Sequence, residues 1–262
     1  MKIKLLLGLA VAGLLTTSAY ADATVSAAAK KIFTDNQDSV VSITAVSKIS
    51  IIAEGANVPE KEMKAEVIGT LVDSSGLVVT VLSQLDPTRS INAQSVRGPK
   101  GDMIKLDASV TLKEIKVIMP DGTEIPAEIV LKDADLDLAF IRIKADSKEA
   151  KGVTFHAVDL KNSATGSVMD ETVTITRMDT LFSRVPNVYP GYINMITKKP
   201  RTFLRATGAT GGCPTFLTDG KLLGITTTRY TKGKDAQAAI LPAADILEIA
   251  DQAKVAKPSS KE

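Results

Sequence analysis

Few side chains in this 262-residue chain could do proton or nucleophile chemistry. There is one histidine, His156, and one cysteine, Cys213. A single imidazole narrows the acid–base chemistry available near neutral pH and rules out a histidine-rich metal site. A single cysteine forms no internal disulfide, so the fold must rest on buried apolar surface. The other chemically suggestive stretch is Arg205-Ala206-Thr207-Gly208-Ala209-Thr210-Gly211-Gly212-Cys213-Pro214. Small residues packed so densely before a proline describe a backbone that turns tightly and approaches something closely. Asp219-Gly220 and the apolar run Leu222 to Ile225 follow it, the pattern of a turn leading into a buried strand.

The elements that must hold this loop are mostly β. Asp38 to Ser47 is rich in β-branched residues and reads as a strand. Val67 to Val72, the turn Asp73–Gly76 and Leu77 to Leu82 form a hairpin. Ile115 to Pro120, Asp121-Gly122, Thr123 to Leu131 and Leu136 to Ile143 continue the series, and Ala236 to Leu241 is the last strand. Ala23 to Asn36 reads as a short helix, and Pro242 to Gln252 as a closing helix with Ile246, Leu247, Ile249 and Ala250 on its apolar face. Lys48 to Met63 is ambiguous, a hairpin arm and loop. Asp86 to Ala108 follows no regular period and is long for a connection within a compact domain.

Lys2 and Lys4, the apolar run Leu5 to Leu15 and Ala19-Tyr20-Ala21 read as a secretory signal peptide over residues 1–21, cleaved after Ala21. The expectation is an exported protein, periplasmic or secreted, with no membrane span after cleavage. Loss of Lys2 and Lys4 takes Lys plus Arg from 32 to 30, against 30 Asp plus Glu. That balance, with tryptophan absent and aromatics few, argues against a nucleic-acid or sugar-stacking partner. No cofactor or metal motif is present.

Several segments together resemble the trypsin-like serine proteases of HtrA (Do-like) type. Asp133-Ala134-Asp135-Leu136-Asp137-Leu138-Ala139-Phe140-Ile141-Arg142-Ile143, with the strand, Asp-Gly turn and strand before it, is similar to the family segment carrying the catalytic aspartate, which falls on Asp137. The hairpin ending in Thr80 is similar to the one preceding the catalytic histidine, whose position falls on Ser83, with Gln84 beside it. The loop Gly208 to Pro214 resembles the nucleophile loop. Aligned on Gly208 the serine position is Thr210; aligned on Pro214 without a gap it is Gly211.

The resemblance implies an all-β fold of two antiparallel six-stranded barrels with short terminal helices. Residues 22–253 form one double-barrel domain, the first barrel over 22–145 and the second over 153–253, joined through Ala145–Gly152. Val153 to Leu160 would enter the second half, and Arg177 to Tyr189 would be a loop within it. A polar tail, 254–262, stands where a PDZ domain usually follows. Asp86 to Ala108 looks like an insertion.

The triad-equivalent positions are thus Ser83, Asp137 and Thr210, with Cys213 as a second nucleophile candidate and the backbone of Gly211 and Gly212 as an oxyanion-type nest. Neither Ser83 nor Gln84 titrates near neutral pH, so neither is a general base. Without its histidine, Asp137 should cap nearby backbone N–H groups or the Ser83 hydroxyl. The reading is an exported, proteolytically inactive pseudoprotease that binds a peptide or protein partner in the inter-barrel cleft or at the 86–108 loop. The alternatives are an active serine-type endopeptidase using Thr210 or Cys213, including a rearrangement through His156, and a structural envelope component with no ligand.

Overall fold

A computed structural model describes residues 16–54, 56–98, 101–230 and 236–257, and side chains from Val25 onward. The signal segment Leu5–Leu15 and the end of the polar tail lie outside the described residues. Among those residues no helix is long and apolar enough to cross a membrane.

The chain opens with helix α1 (Thr16–Asn36) and enters a run of antiparallel strands. β1 (Val40–Ala53), β2 (Ala56–Asp73), β3 (Leu77–Val81), β4 (Ser95–Arg97), β5 (Met103–Ile118), β6 (Glu124–Asp133) and β7 (Leu138–Ile143) form one sheet in the order β1-β2-β3-β7-β6-β5-β4. β1 also pairs with β5, which closes a ring of six strands and leaves β4 appended to β5. β8 (Glu171–Arg177), β9 (Pro186–Thr197), β10 (Phe203–Ala206), β11 (Pro214–Leu217), β12 (Leu222–Tyr230) and β13 (Ala236–Pro242) close a second barrel in the order β10-β13-β12-β11-β8-β9. Two short helices, α2 (Leu82–Leu85) and α3 (Thr88–Asn92), follow β3, and α4 (Ala243–Val255) ends the fold.

The apolar runs of β3 and β7, interrupted only by Thr80 and Arg142, have a physical reason: both strands are largely buried on both faces. Val78, Ala139, Ile141 and Ile143 fill the first barrel. Their neighbours Leu77, Val79, Leu138 and Phe140 point the other way, into a core shared with Val173, Ile175, Phe216 and Ile225 of the second barrel. Ile32 of α1 and Ile246, Ile249 and Ala250 of α4 seal that shared core. Arg142 fixes α4 in place by donating to the terminal carbonyls of Ala253 and Lys254, at 2.7 and 2.9 Å.

Three segments differ from the sequence reading and a fourth is sharpened by the structure. Lys48–Met63, read as a hairpin arm and loop, is mostly arm: β1 and β2 pair far beyond the barrel, from Val40↔Thr70 to Ala53↔Ala56, with β5 alongside. Asp86–Ala108 is folded. It holds α3, β4 and the start of β5, and Asn92 bonds both the N–H and the C=O of Ala108, at 2.6 and 3.5 Å. A side chain standing in for a strand leaves no sequence period. Val153–Leu160 does not join the second barrel. It is an extended strap on the first, where Val158 N–H donates to Leu71 O at 3.0 Å and Val153, Phe155 and Ala157 pack on the barrel core. The stretch read as a loop over Arg177–Tyr189 narrows to residues 178–185, which hold a short 3-10 helix (Thr180–Phe182), because β9 begins at Pro186 opposite Arg177. Prolines at 186 and 190 mask a strand in the sequence, since each lacks a ladder donor.

Candidate functional site

The contact between the barrels brings Ser83 and Asp137 near the Gly211–Cys213 loop, but not as a relay. Asp137 stands just before β7, is 3% exposed, and holds a left-handed backbone with φ of +57°. Aspartate is among the few residues that tolerate that conformation. Its own carbonyl accepts the Leu82 N–H at 3.0 Å, tying it to the start of α2. Thr227 Oγ1 donates to the carbonyls of Leu136 and Asp137, so strand β12 of the second barrel holds this turn of the first.

Both carboxylate oxygens of Asp137 go to Ser83. The Ser83 N–H donates to Oδ1 at 2.8 Å and its hydroxyl to Oδ2 at 2.8 Å. Burial pushes this carboxyl above its ordinary range; hydrogen bonds from Ser83 and Thr228 and the charge of Arg89 pull it partly back. His156 makes no hydrogen bond among the described residues and sits exposed on the strap over the first barrel. A rearranged triad through His156 therefore has no geometric basis.

The loop before β11 approaches the first barrel closely. A β-carbon on Gly212 would lie 2.0 Å from Ile68 O, and its φ is +79°, so only glycine fits. Gly212 O accepts from Thr70 Oγ1 at 2.7 Å, and Gly212 N–H donates to Thr226 O at 2.8 Å. That last bond corrects the expected Gly211–Gly212 nest. The Gly212 donor is spent on strand β12 and does not face an oxyanion. Gly211 faces α2: a β-carbon there would sit 2.9 Å from Gln84 Nε2 and 3.1 Å from Val81 Cγ2.

Neither nucleophile candidate is placed to react. Thr210 is exposed and donates its hydroxyl to Gly208 O at 3.3 Å, within its own turn. Cys213 is fully buried, and burial pushes its thiol up to about 12, outweighing a hydrogen bond from Thr176. A thiol that stays protonated is a poor nucleophile. Among the described residues no group of three or more His, Cys, Asp or Glu side chains is placed to hold a metal.

One feature of the groove had no signature in the sequence. Thr226 N–H donates to Cys213 O at 3.0 Å and Thr226 O accepts from Gly212, so its polar backbone points away from β13. β11 pairs with β12 only as far as Ile225. Two residues on, strand alternation points the Thr228 N–H and C=O in the same direction, and among the described residues no strand pairs with it on that side. Among the described residues, Thr228 to Tyr230 is thus an unpaired sheet edge near Asp137. Only a third dimension shows it, because it depends on where β11 stops.

Comparisons with known proteins place the fold. No family model and no curated protein matches the chain. Among solved structures it is similar to the protease domain of MamO from Magnetospirillum magneticum, in its apo form, at 17% identity and a TM-score of 0.51. The match covers 83% of this chain and 98% of the MamO domain. The fold is trypsin-like.

Proposed function

We propose that this protein is an exported, proteolytically inactive trypsin-like protein that binds an extended peptide segment in the groove between its barrels. The observation that carries the reading is the fate of the proton path. Ser83 occupies both oxygens of Asp137, and the Gln84 amide, which neither titrates nor orients a base, lies against the bare α-carbon of Gly211. Loss of a nucleophile or base in such an arrangement costs on the order of 10⁶-fold in turnover, because the members act as a unit. Two are missing here.

Binding remains available to the groove. An extended segment can add to the free edge of β12 through Thr228, gaining main-chain hydrogen bonds without any bond cleavage. The Asp86–Ala108 insertion contributes to the same region by placing Arg89 of α3 over the Tyr230 ring, 4.6 Å from its centroid.

The test has two arms. Casein hydrolysis and fluorophosphonate labelling are expected to give no signal; labelling lost on Thr210→Ala or Cys213→Ala would overturn the inactive reading. For binding, Thr228→Pro removes the outward-facing N–H at a position whose N–H does not bond β13. It should abolish capture of extended peptides, whereas Thr228→Val, which removes only the hydroxyl bonded to Asp137, should retain it; a cooperative melt of each variant is the check on folding.

A further inference from the structure

A cavity of about 190 Å³ lies on the seam between the barrels, where the turn from β5 to β6 meets the turn from β8 to β9. It shares no lining residue with the Ser83–Asp137 site. Ser42 of β1 and Arg177 of β8 both line it, and they are only 2% and 7% exposed. The Ser42 hydroxyl donates no hydrogen bond among the described residues. A guanidinium carries five N–H donors. Arg177 gives one to Val40 O, one to Arg184 O at 2.9 Å and one to Gln37 O at 3.3 Å, which leaves two. No carboxylate stands within 4.0 Å of it among the described residues.

A buried charge is normally paired. The other charged groups here do not pair Arg177. Arg184 lines the cavity, but Glu66 takes its Nε and Nη2 at 2.7 and 3.1 Å, so those two charges cancel. Asp121 lines the cavity from an exposed position, where its Oδ1 accepts the Thr123 N–H at 2.9 Å. Asp38 acts on Arg177 from beyond ion-pair distance. Water and salt screen an exposed carboxylate far more than a buried guanidinium. The deep side of the cavity is therefore positive and offers three unspent donors, two from Arg177 and one from Ser42.

Its size limits what those donors can hold. The volume lies below the roughly 300 Å³ at which pockets for organic ligands begin, and equals about six waters at about 30 Å³ each. We infer that this cavity binds a small inorganic oxyanion of phosphate or sulfate type, held by the Arg177 guanidinium and the Ser42 hydroxyl. Bound there, the anion touches β1 of the first barrel and β8 of the second and ties them together. The inference does not depend on the peptide-binding reading.

The probe is inorganic phosphate, titrated into the full protein by calorimetry with ionic strength held constant. One site with a Kd of about 1 mM is expected. Ser42→Ala should weaken it about tenfold or more, because a hydrogen bond to a charged ligand is lost. The same variant removes a buried hydroxyl that donates to no protein group, so without phosphate it should melt no lower than the parent, which is the check on folding. Asp121→Asn keeps an acceptor for the Thr123 N–H, removes the exposed charge that opposes an anion, and should tighten binding about twofold. Absence of binding at about ten times the expected Kd, or equal affinity in the parent and Ser42→Ala, would overturn the site. So would a phosphate-induced rise in melting temperature that is the same in both proteins, since that is the general effect of an excluded salt.

Discussion

Ser83 closes off Asp137: one residue supplies a backbone N–H to Oδ1 and a hydroxyl to Oδ2, each at 2.8 Å. The pair holds α2 to the turn before β7 and leaves the carboxylate no oxygen free of a Ser83 bond. A residue that in a working relay would orient a base instead holds the backbone together.

The Asp137 carboxyl has a measurable pH signature. Burial raises it above its ordinary value of 3.8. The folded state therefore holds this proton more tightly than the unfolded state. The group's contribution to stability falls as pH rises from near 3.8 through the raised folded value, and is constant above it. Asp137→Asn keeps the left-handed backbone and an acceptor for the Ser83 N–H, and removes the titration. The stability of the Asn variant relative to the parent should rise with pH across that window in urea titrations. A difference that is flat with pH contradicts the burial argument.

Adjacent glycines should differ sharply in what a side chain costs. Gly212→Ala meets backbone, with Ile68 O at 2.0 Å, in a conformation with φ of +79°. A loss of about 3 kcal/mol or more is expected, because strain and overpacking add. Gly211→Ser meets the exposed, flexible end of Gln84 at 2.9 Å. Its cost should stay near or below about 1 kcal/mol. Denaturant midpoints for the two variants decide it.

Cys213 should be silent in the native state. Its thiol is fully buried and pushed up to about 12. Reaction with a disulfide reagent at pH 8 should proceed only at the rate of opening or unfolding, and should become fast in denaturant. Rapid native-state labelling would show that the thiol is reachable.

Arg177 is a structural tie between the barrels. Its guanidinium is buried and donates to Val40 O, to Arg184 O at 2.9 Å and to Gln37 O at 3.3 Å. Burial lowers its pKa, and the charge of Asp38 opposes that shift. Arg177→Met leaves three carbonyls without this donor and should cost about 2–3 kcal/mol in urea unfolding. Recovery of full stability by Lys at this position would argue against the geometry, since one ammonium does not reach three divergent carbonyls as the planar fork does.

How far the chain could be read depended on whether a feature was local. Leu77–Val81 and Leu138–Ile143 announce strands buried on both faces through apolar runs interrupted only by Thr80 and Arg142, and Asp219-Gly220 announces its turn. The long β1–β2 arm stayed ambiguous because charged residues interrupt its alternation, and the 86–108 segment because Asn92 bonds Ala108 through a side chain. His156, the one imidazole, drew attention by its type, yet the strap carrying it lies on the first barrel and keeps it out of the groove.

The sequence by itself determined the strands, the turns and which reactive groups the protein possesses, because propensity, alternation and composition are written residue by residue. It also determined that the chain holds one imidazole, His156. Tertiary structure alone decided what the remaining groups touch: Ser83 on Asp137, Gln84 against Gly211, Gly212 N–H on Thr226, and the edge from Thr228 that is unpaired among the described residues. Those contacts join segments separated in the chain, within each barrel and, for Gln84 and Gly211, between the two, and they are set by packing and strand length, quantities that no local pattern carries.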